Sequence, residues 1–354
     1  MSKTIRDKIL GCIAGAAIGD AMGTPAEFLH HKAVKKYFGE IKDLRFGARF
    51  SDDTLLRMLT YRTIIEKGGR IDAWDMASSW KARVLPNDDY WVTELFISAE
   101  LNMGVSPRDS GYHNIEADDA AMAIDPIGVV NCCSPRNAAV DARDIAAVSQ
   151  KGKEVEAAIA VAAAVAQAFD VGATTDGIVR AATRFSGQVI ARRIERALAV
   201  AGSTSSLATT YDKLYEEVGI QDGSEMIVKT WRANDPKLKR YSSDEISLGV
   251  SAAEVVPVAL AFFHMSNGDP FKTLKKCVGY GRDSDTLAGI AGAVAGAFKG
   301  AGSINSELIR QVESENQVSF GDLASAMIKP LRNASEESSE SANKVKKLLR
   351  LSGS

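Results

Sequence analysis

Apolar residues recur every three to four positions along most of the chain. Ile5, Ile9, Ile13 and Ala16 fall on one face of a helix, while Gly11, Gly15 and Gly19 line another face of the same segment. The stretch TLLRMLTYRTIIEKGG carries Leu55, Leu59 and the Ile64–Ile65 pair at helical spacing, then Gly68–Gly69, a C-terminal stop. EVEAAIAVAAAVAQAF reads as an alanine-rich helix. AAEVVPVALAFFHM reads as a buried helix with Pro257 in its first turns or at a kink. TLAGIAGAVAGAFKGAG sets Gly292, Gly296 and Gly300 four residues apart, the spacing already seen at Gly11, Gly15 and Gly19. No run alternates apolar and polar residues as a half-buried strand does, so the pattern predicts an all-α fold. Loops are expected over 32–50, 86–90, 104–124 and 232–243, none long enough to link separate domains. The expected organisation is one domain over residues 1–330, followed by a polar tail or surface helix over 331–354.

Composition narrows this picture only moderately. The chain has 354 residues, 45% hydrophobic and 25% charged, with a formal charge of -2. That balance fits a globular protein and argues against a dominant electrostatic role on nucleic acid or a membrane surface, while leaving room for a local basic patch. The expectation is no nucleic-acid partner and no membrane partner. The four cysteines, Cys12, Cys132, Cys133 and Cys277, form no CxxC pair, so neither a zinc ribbon nor a disulfide framework is indicated. A reduced, cytoplasmic setting is expected. The apolar runs at 157–166 and 287–298 are short and rich in small residues, too short to span a bilayer.

The chemistry concentrates in acidic helix starts. FSDDTLL places Ser51, Asp52 and Asp53 before an apolar helix, and GRDSDTLAGIAG places Asp283, Asp285 and Thr286 before another. Taken singly, each reads as an N-cap with carboxylates favoured by the helix dipole. Asp20 continues the Ile9–Ile13–Ala16 face, so it is expected to be buried and to need a partner. Glu27 follows in GDAMGTPAE. If Glu27, Asp52, Asp53, Asp283 and Asp285 converge, each pair of charges about 4 Å apart repels by roughly 4 kcal/mol at an effective dielectric of 20. Protons or cations must then neutralise the cluster. Carboxylates and hydroxyls are hard ligands that select Mg²⁺, Mn²⁺ or Ca²⁺ over zinc, and no two histidines have HxxxH spacing.

These segments resemble the ADP-ribosylglycohydrolase family. The matching stretches are GCIAGAAIGDAMGTPAE, SDDT, AAMAIDPIGVVN and GRDSDTLAGIAGAVAGAFKGA, in family order over about residues 5–302. The resemblance implies a compact all-α fold with a binuclear centre of two Mg²⁺ or Mn²⁺. By motif position, Ser51, Asp52 and Asp53 would ligate one side, and Asp283, Asp285 and Thr286 the other. Glu27 matches a family glutamate implicated in catalysis, with Asp52 and Asp285 as further catalytic candidates, and Asp20 matches a supporting aspartate. The implied reaction is hydrolysis at C1 of a ribose on a ribosyl or ADP-ribosyl substrate, possibly carried on a protein.

Two departures bear on the substrate. Where many family hydrolases carry Asn-Gly…Met-Arg in the middle motif, this chain reads EADDAAMAID. Asp118 and Asp119 replace Asn-Gly, Met122 is kept, Ala123 replaces the arginine, and Glu116 and Asp125 add charge. The family's His-Pro-like element becomes Ser149–Gln150. Either these acids are solvated and other loops recognise ADP-ribose, or the substrate is a smaller N-riboside without a diphosphate. A non-enzymatic relative of the crystallin J1 kind is a further alternative, and a binuclear phosphohydrolase a remote one. Tyr90–Trp91 could stack on a base; His113, Tyr280 and Arg282 are candidate substrate contacts. Asp88–Asp89 read as a solvated turn, and the basic run HHKAVKKYF as a solvated helix face.

Overall fold

The computed structural model describes residues 4–44, 47–86, 90–220 and 225–351. The chain runs through α1 (Ile5–Gly23), α2 (His31–Phe38), α3 (Asp52–Lys67), α4 (Ala73–Arg83) and α5 (Val92–Asn102). Then come α6 (Asp119–Met122), α7 (Asp125–Val130), α8 (Pro135–Ala146), α9 (Gly152–Ala168) and α10 (Thr175–Phe185). The second half holds α11 (Gln188–Ser203), α12 (Leu207–Glu217), α13 (Glu225–Asn234), α14 (Ala252–Met265) and α15 (Pro270–Tyr280). It closes with α16 (Ser284–Lys299), α17 (Ser306–Asn316), α18 (Phe320–Ala326) and α19 (Ile328–Leu351). The fold is all-α, as the periodicity predicts.

The glycine stripes explain the centre. A Cβ on Gly11 would collide with the Gly296 carbonyl, one on Gly15 with Gly292, one on Gly19 with Ala288, and one on Gly23 with the backbone of Asp285. The partner numbers fall as the glycine numbers rise, so α1 and α16 run antiparallel, backbone against backbone. Only glycine permits that approach. By length and composition α1 could cross a membrane, but most of it is buried in this protein core. The alanine-rich α9 is buried along nearly its whole length, with α7, α8, α10 and α14 packed around it.

Helix ends follow the sequence signals where these exist. α3 stops at Gly68, whose φ of +76° lies in the left-handed region. Pro257 sits inside α14. Three expected loops contain helix: α2 falls in 32–50, a 3₁₀ turn (Ser110–His113) and α6 in 104–124, and the end of α13 with a 3₁₀ turn (Leu238–Arg240) in 232–243. All are short or mostly polar, so they lack the long apolar period that marks the core helices. Asp88 and Asp89 lie outside the described residues. The polar C-terminus continues as α19, whose outer part is exposed. The two-residue strands β1 (Leu29–His30) and β2 (Gly281–Arg282) pair antiparallel, with Leu29 opposite Arg282. Strands of two residues carry no alternation to read, yet this clasp ties the Glu27 turn to the start of α16.

Candidate active site

α3 begins where buried groups fix its first turn. The Ser51 hydroxyl accepts from the Asp53 N–H at 3.2 Å. Asp20 on α1 accepts from the Ser51 N–H at 2.9 Å, the Thr54 N–H at 3.1 Å and the Thr54 hydroxyl at 2.5 Å. One buried carboxylate thereby meets donors that a helix start leaves free. Asp20 is fully buried. The second acidic start is anchored from α1: the Ser284 hydroxyl donates to the Gly23 carbonyl at 2.8 Å. Thr286 lines the same cavity as Asp53 and Asp283, which brings the two helix starts together.

A cavity of about 110 Å³ opens over these ends. Among the described residues, its lining includes eight carboxylates, Glu27, Asp52, Asp53, Glu94, Asp118, Asp119, Asp283 and Asp285, together with Thr286, Met122, Phe28 and Trp91, and no Lys or Arg. Phe28 and Trp91 meet edge to face with ring centroids 6.0 Å apart. A wider depression of about 940 Å³ beside α17 is open and lined by exposed or half-exposed polar groups, without any such convergence.

Burial is the main cause that raises the pKa of every one of the eight. Mutual repulsion adds to it: Asp118, Asp53 and Glu27 push up Asp283, and Glu27, Asp283 and Asp53 push up Asp285. Asp119 is raised to about 6, held from going further by hydrogen bonds from Thr93 and Gln150. Asp53 Oδ2, Asp118 Oδ2, Asp285 Oδ1 and both carboxylate oxygens of Glu94 are buried with no donor. Asp119 and Asp53 push the Glu94 carboxyl up in turn, after its burial.

The nearby cations do not balance this charge. Lys237 Nζ donates to Glu27 Oε2 at 2.8 Å and to the Thr24 carbonyl. Arg57, behind Asp53, is held by Asp125 at 2.5 Å. Hard oxygen donors with unpartnered buried oxygens and excess negative charge suit Mg²⁺ or Mn²⁺. Among the described residues, no three His, Cys, Asp or Glu side chains are placed to close on one ion. The fit therefore lies in the donor chemistry and the orphaned oxygens, not in a finished coordination shell.

Of the residues expected at the site, Glu27, Asp52, Asp53, Asp119, Met122, Asp283, Asp285 and Thr286 line the cavity, and Ser51 stands behind it as the cap of α3. Four others are placed elsewhere. Tyr90 packs against the core while its neighbour Trp91 reaches the cavity. His113 is exposed and faces Glu100 at 2.9 Å. Tyr280 is buried and donates to Glu254 at 2.9 Å. Arg282 pairs with the same Glu254 at 2.5 Å and stacks over Tyr215. Asp125 does not face a substrate loop: it is buried and accepts from Arg57 and from Tyr61 at 3.1 Å. Glu116 pairs with Lys153 at the surface, whereas Asp118 and Asp119 are buried, not solvated.

Glu94 and Lys237 are the site residues that sequence reasoning missed; Asp118, singled out with Asp119 as an acidic departure in the middle motif, lines the cavity. Glu94 has the signal of an ordinary first-turn acid, in WVTELF. Trp80 donates its indole N–H to the Glu94 carbonyl at 3.2 Å and so fixes where that turn lies.

The family model for ADP-ribosylglycohydrolase matches residues 1–339. An uncharacterized Escherichia coli (strain K12) protein, YegU, is 26% identical over 339 residues, covering 91% of this chain and 97% of that protein. An uncharacterized Archaeoglobus fulgidus protein is 27% identical over 317 residues, covering 83% of this chain and 88% of its own. A solved structure described as an ADP-ribosylglycohydrolase-related protein complex superimposes with a TM-score of 0.64 at 19% identity. It covers 94% of this chain and 99% of that one.

Proposed function

The chain belongs to the ADP-ribosylglycohydrolase family, and on that premise we propose that it is a divalent-cation-dependent hydrolase of a ribosyl glycosidic bond. The observation that carries the reading is the convergence of two acidic helix starts and the Glu27 turn on one cavity with orphaned buried oxygens. Asp52 and Asp53, with Ser51 behind them, would hold the cations from α3; Asp283, Asp285 and Thr286 would hold them from α16. When bound, such cations supply neutralising charge, a grip on vicinal ribose hydroxyls and a more acidic water.

The chain's own residues supply the rest. Lys237 favours the charged form of Glu27, the form a general base needs to take a proton from water. The surrounding carboxylates favour the positive charge that develops at C1 as the bond to the leaving group breaks. Phe28 and Trp91 offer apolar ring edges beside the opening for a planar leaving group. Replacing Glu27 with Gln is expected to lower turnover by about 10²–10⁴-fold while bound metal is retained.

Within this reading, a small N-riboside suits the cavity better than an ADP-ribosyl group. Asp118 and Asp119 are buried in its wall, and among the described residues no Lys or Arg lines it to meet a diphosphate. Its volume of about 110 Å³ is below the several hundred Å³ usual for ligand pockets. A screen with Mg²⁺ or Mn²⁺ would set ADP-ribosyl-arginine and ADP-ribosyl-serine against nucleosides and other N-ribosides, with EDTA as control. Free ribose from the small substrates alone is the expected result. Release of ADP-ribose would overturn the small-substrate reading, and no turnover of any substrate with metal bound would overturn the hydrolase reading.

A further inference from the structure

Asp119 and Glu94 both line the acidic cavity, and the protein answers only one of them. Asp119 accepts from the Thr93 hydroxyl at 2.8 Å and from the Gln150 amide at 2.5 Å. Glu94, the next residue after Thr93, is 1% exposed, and among the described residues neither of its carboxylate oxygens has a donor. Asp118 Oδ2, in the same lining, is orphaned too. Burying such oxygens unpaired costs free energy. Neither residue belongs to the α3 and α16 sets that would hold the cations.

Two aromatic rings share this lining. Trp91 caps the start of α5 and Glu94 lies three positions on, so one turn delivers both to the cavity. Phe28 holds a left-handed φ of +62°. Its N–H donates to the Arg282 carbonyl at 2.6 Å, and its carbonyl accepts from the Ser247 N–H at 2.9 Å, which pins the residue on both sides. Aromatic rings attract cations over their faces, and unpaired carboxylate oxygens call for N–H donors with positive charge. A neutral ring satisfies the aromatics alone, and an anionic one is repelled.

We infer that Glu94 and Asp118, with Phe28 and Trp91, form a leaving-group subsite for a flat heteroaromatic cation bearing N–H donors, so that the substrate class is a pyridinium-type N-riboside. For turnover this rests on the hydrolase reading above; for binding it does not. In the reaction the oxygen of water bonds to C1 of the ribose, the C1–N bond breaks, and its electron pair stays on the ring nitrogen. The ring leaves neutral, and the proton given up by water passes to Glu27.

The test begins with calorimetric binding to the full chain in Mg²⁺. The probes are 1-methylnicotinamide, a cation, neutral nicotinamide, and 1-methylnicotinate, which carries a carboxylate in place of the amide. The cation is expected to bind roughly tenfold or more tighter than either of the others. Glu94→Gln should erase most of that margin; the comparison of the three probes on the native chain needs no variant. Turnover of nicotinamide riboside should then exceed that of nicotinic acid riboside and of uridine. Equal binding of the three probes, or a margin unchanged in a folded Glu94→Gln protein, would overturn the inference, and turnover of uridine alone would leave the hydrolase reading standing without it. A cation preference in binding with no riboside hydrolysed would support the subsite and overturn the hydrolase reading alone.

Discussion

Asp125 and Asp285 are both buried carboxylates, and they are solved in opposite ways. Asp125 accepts from Arg57 at 2.5 Å and from Tyr61 at 3.1 Å, so its charge is answered inside the protein. Glu254 follows the same plan, with Arg282 at 2.5 Å, the Tyr280 hydroxyl at 2.9 Å and the Ile220 N–H at 2.6 Å. Asp285 has an unpartnered oxygen and Glu27, Asp283, Asp53 and Asp20 as charged neighbours. A buried acid that is answered by arginine and tyrosine holds the fold together. One that is left facing other acids stores electrostatic work that a cation or a cationic transition state can recover. The difference teaches where to look for function in a chain whose core is rich in buried acids.

Mutation should separate the two classes. Asp285→Asn is expected to reduce turnover by several kcal/mol of barrier, on the order of a thousandfold, measured with whichever riboside is turned over. The same change should raise the thermal midpoint in EDTA, because it removes a repelled charge. Arg57→Met should do the reverse for Asp125. Leaving that carboxylate buried and unanswered costs about 3–5 kcal/mol of stability by denaturant titration, and replacing Asp125 as well should restore much of it. Gly292→Ala tests the seam that delivers the second acidic start. A Cβ there meets the Gly15 carbonyl, and overpacking of this kind costs about 1–3 kcal/mol. A loss of metal affinity should accompany it, because Asp283 and Asp285 would move with α16.

The smallest effect is a slope with pH. Asp119 is raised to about 6, and Asp52, Asp53, Asp283 and Asp285 are raised as well. A carboxyl with a higher pKa folded than unfolded keeps its proton in the native state after the unfolded chain has released its own. Its stabilising contribution is full below the unfolded value near 4 and is lost as pH rises through the folded value. In EDTA the protein should thus be more stable at pH 5 than at pH 8. Added Mg²⁺ should narrow that gap.

Much of this comparison was legible in the sequence. The four-residue glycine spacing around Gly15 and Gly292 is a backbone requirement, so the repeated spacing stood out in the sequence, though not that the two stripes face each other. SDDT and DSDT announced the acidic starts because a cap followed by paired acids is a local pattern. What stayed hidden was direction and distance in space. Tyr280 and Arg282 flank Asp283 in sequence, but Arg282 has a φ of +56° and turns with Tyr280 toward Glu254. Glu94 was hidden for the opposite reason. It looks like a routine helix-start acid, and only the fold brings it to the same cavity as the starts of α3 and α16. Lys237 comes from a distant polar segment with no motif at all.

The most direct test is calorimetric titration of Mn²⁺ into metal-stripped protein, run in two buffers of different ionisation enthalpy. The account predicts saturable binding that releases protons, since the crowded carboxyls must give up protons to ligate. It also predicts that Asp283→Ala or Asp285→Ala abolishes this signal without unfolding the chain. A wild-type protein that takes up no Mn²⁺ or Mg²⁺, or binding unchanged in both variants, would contradict it.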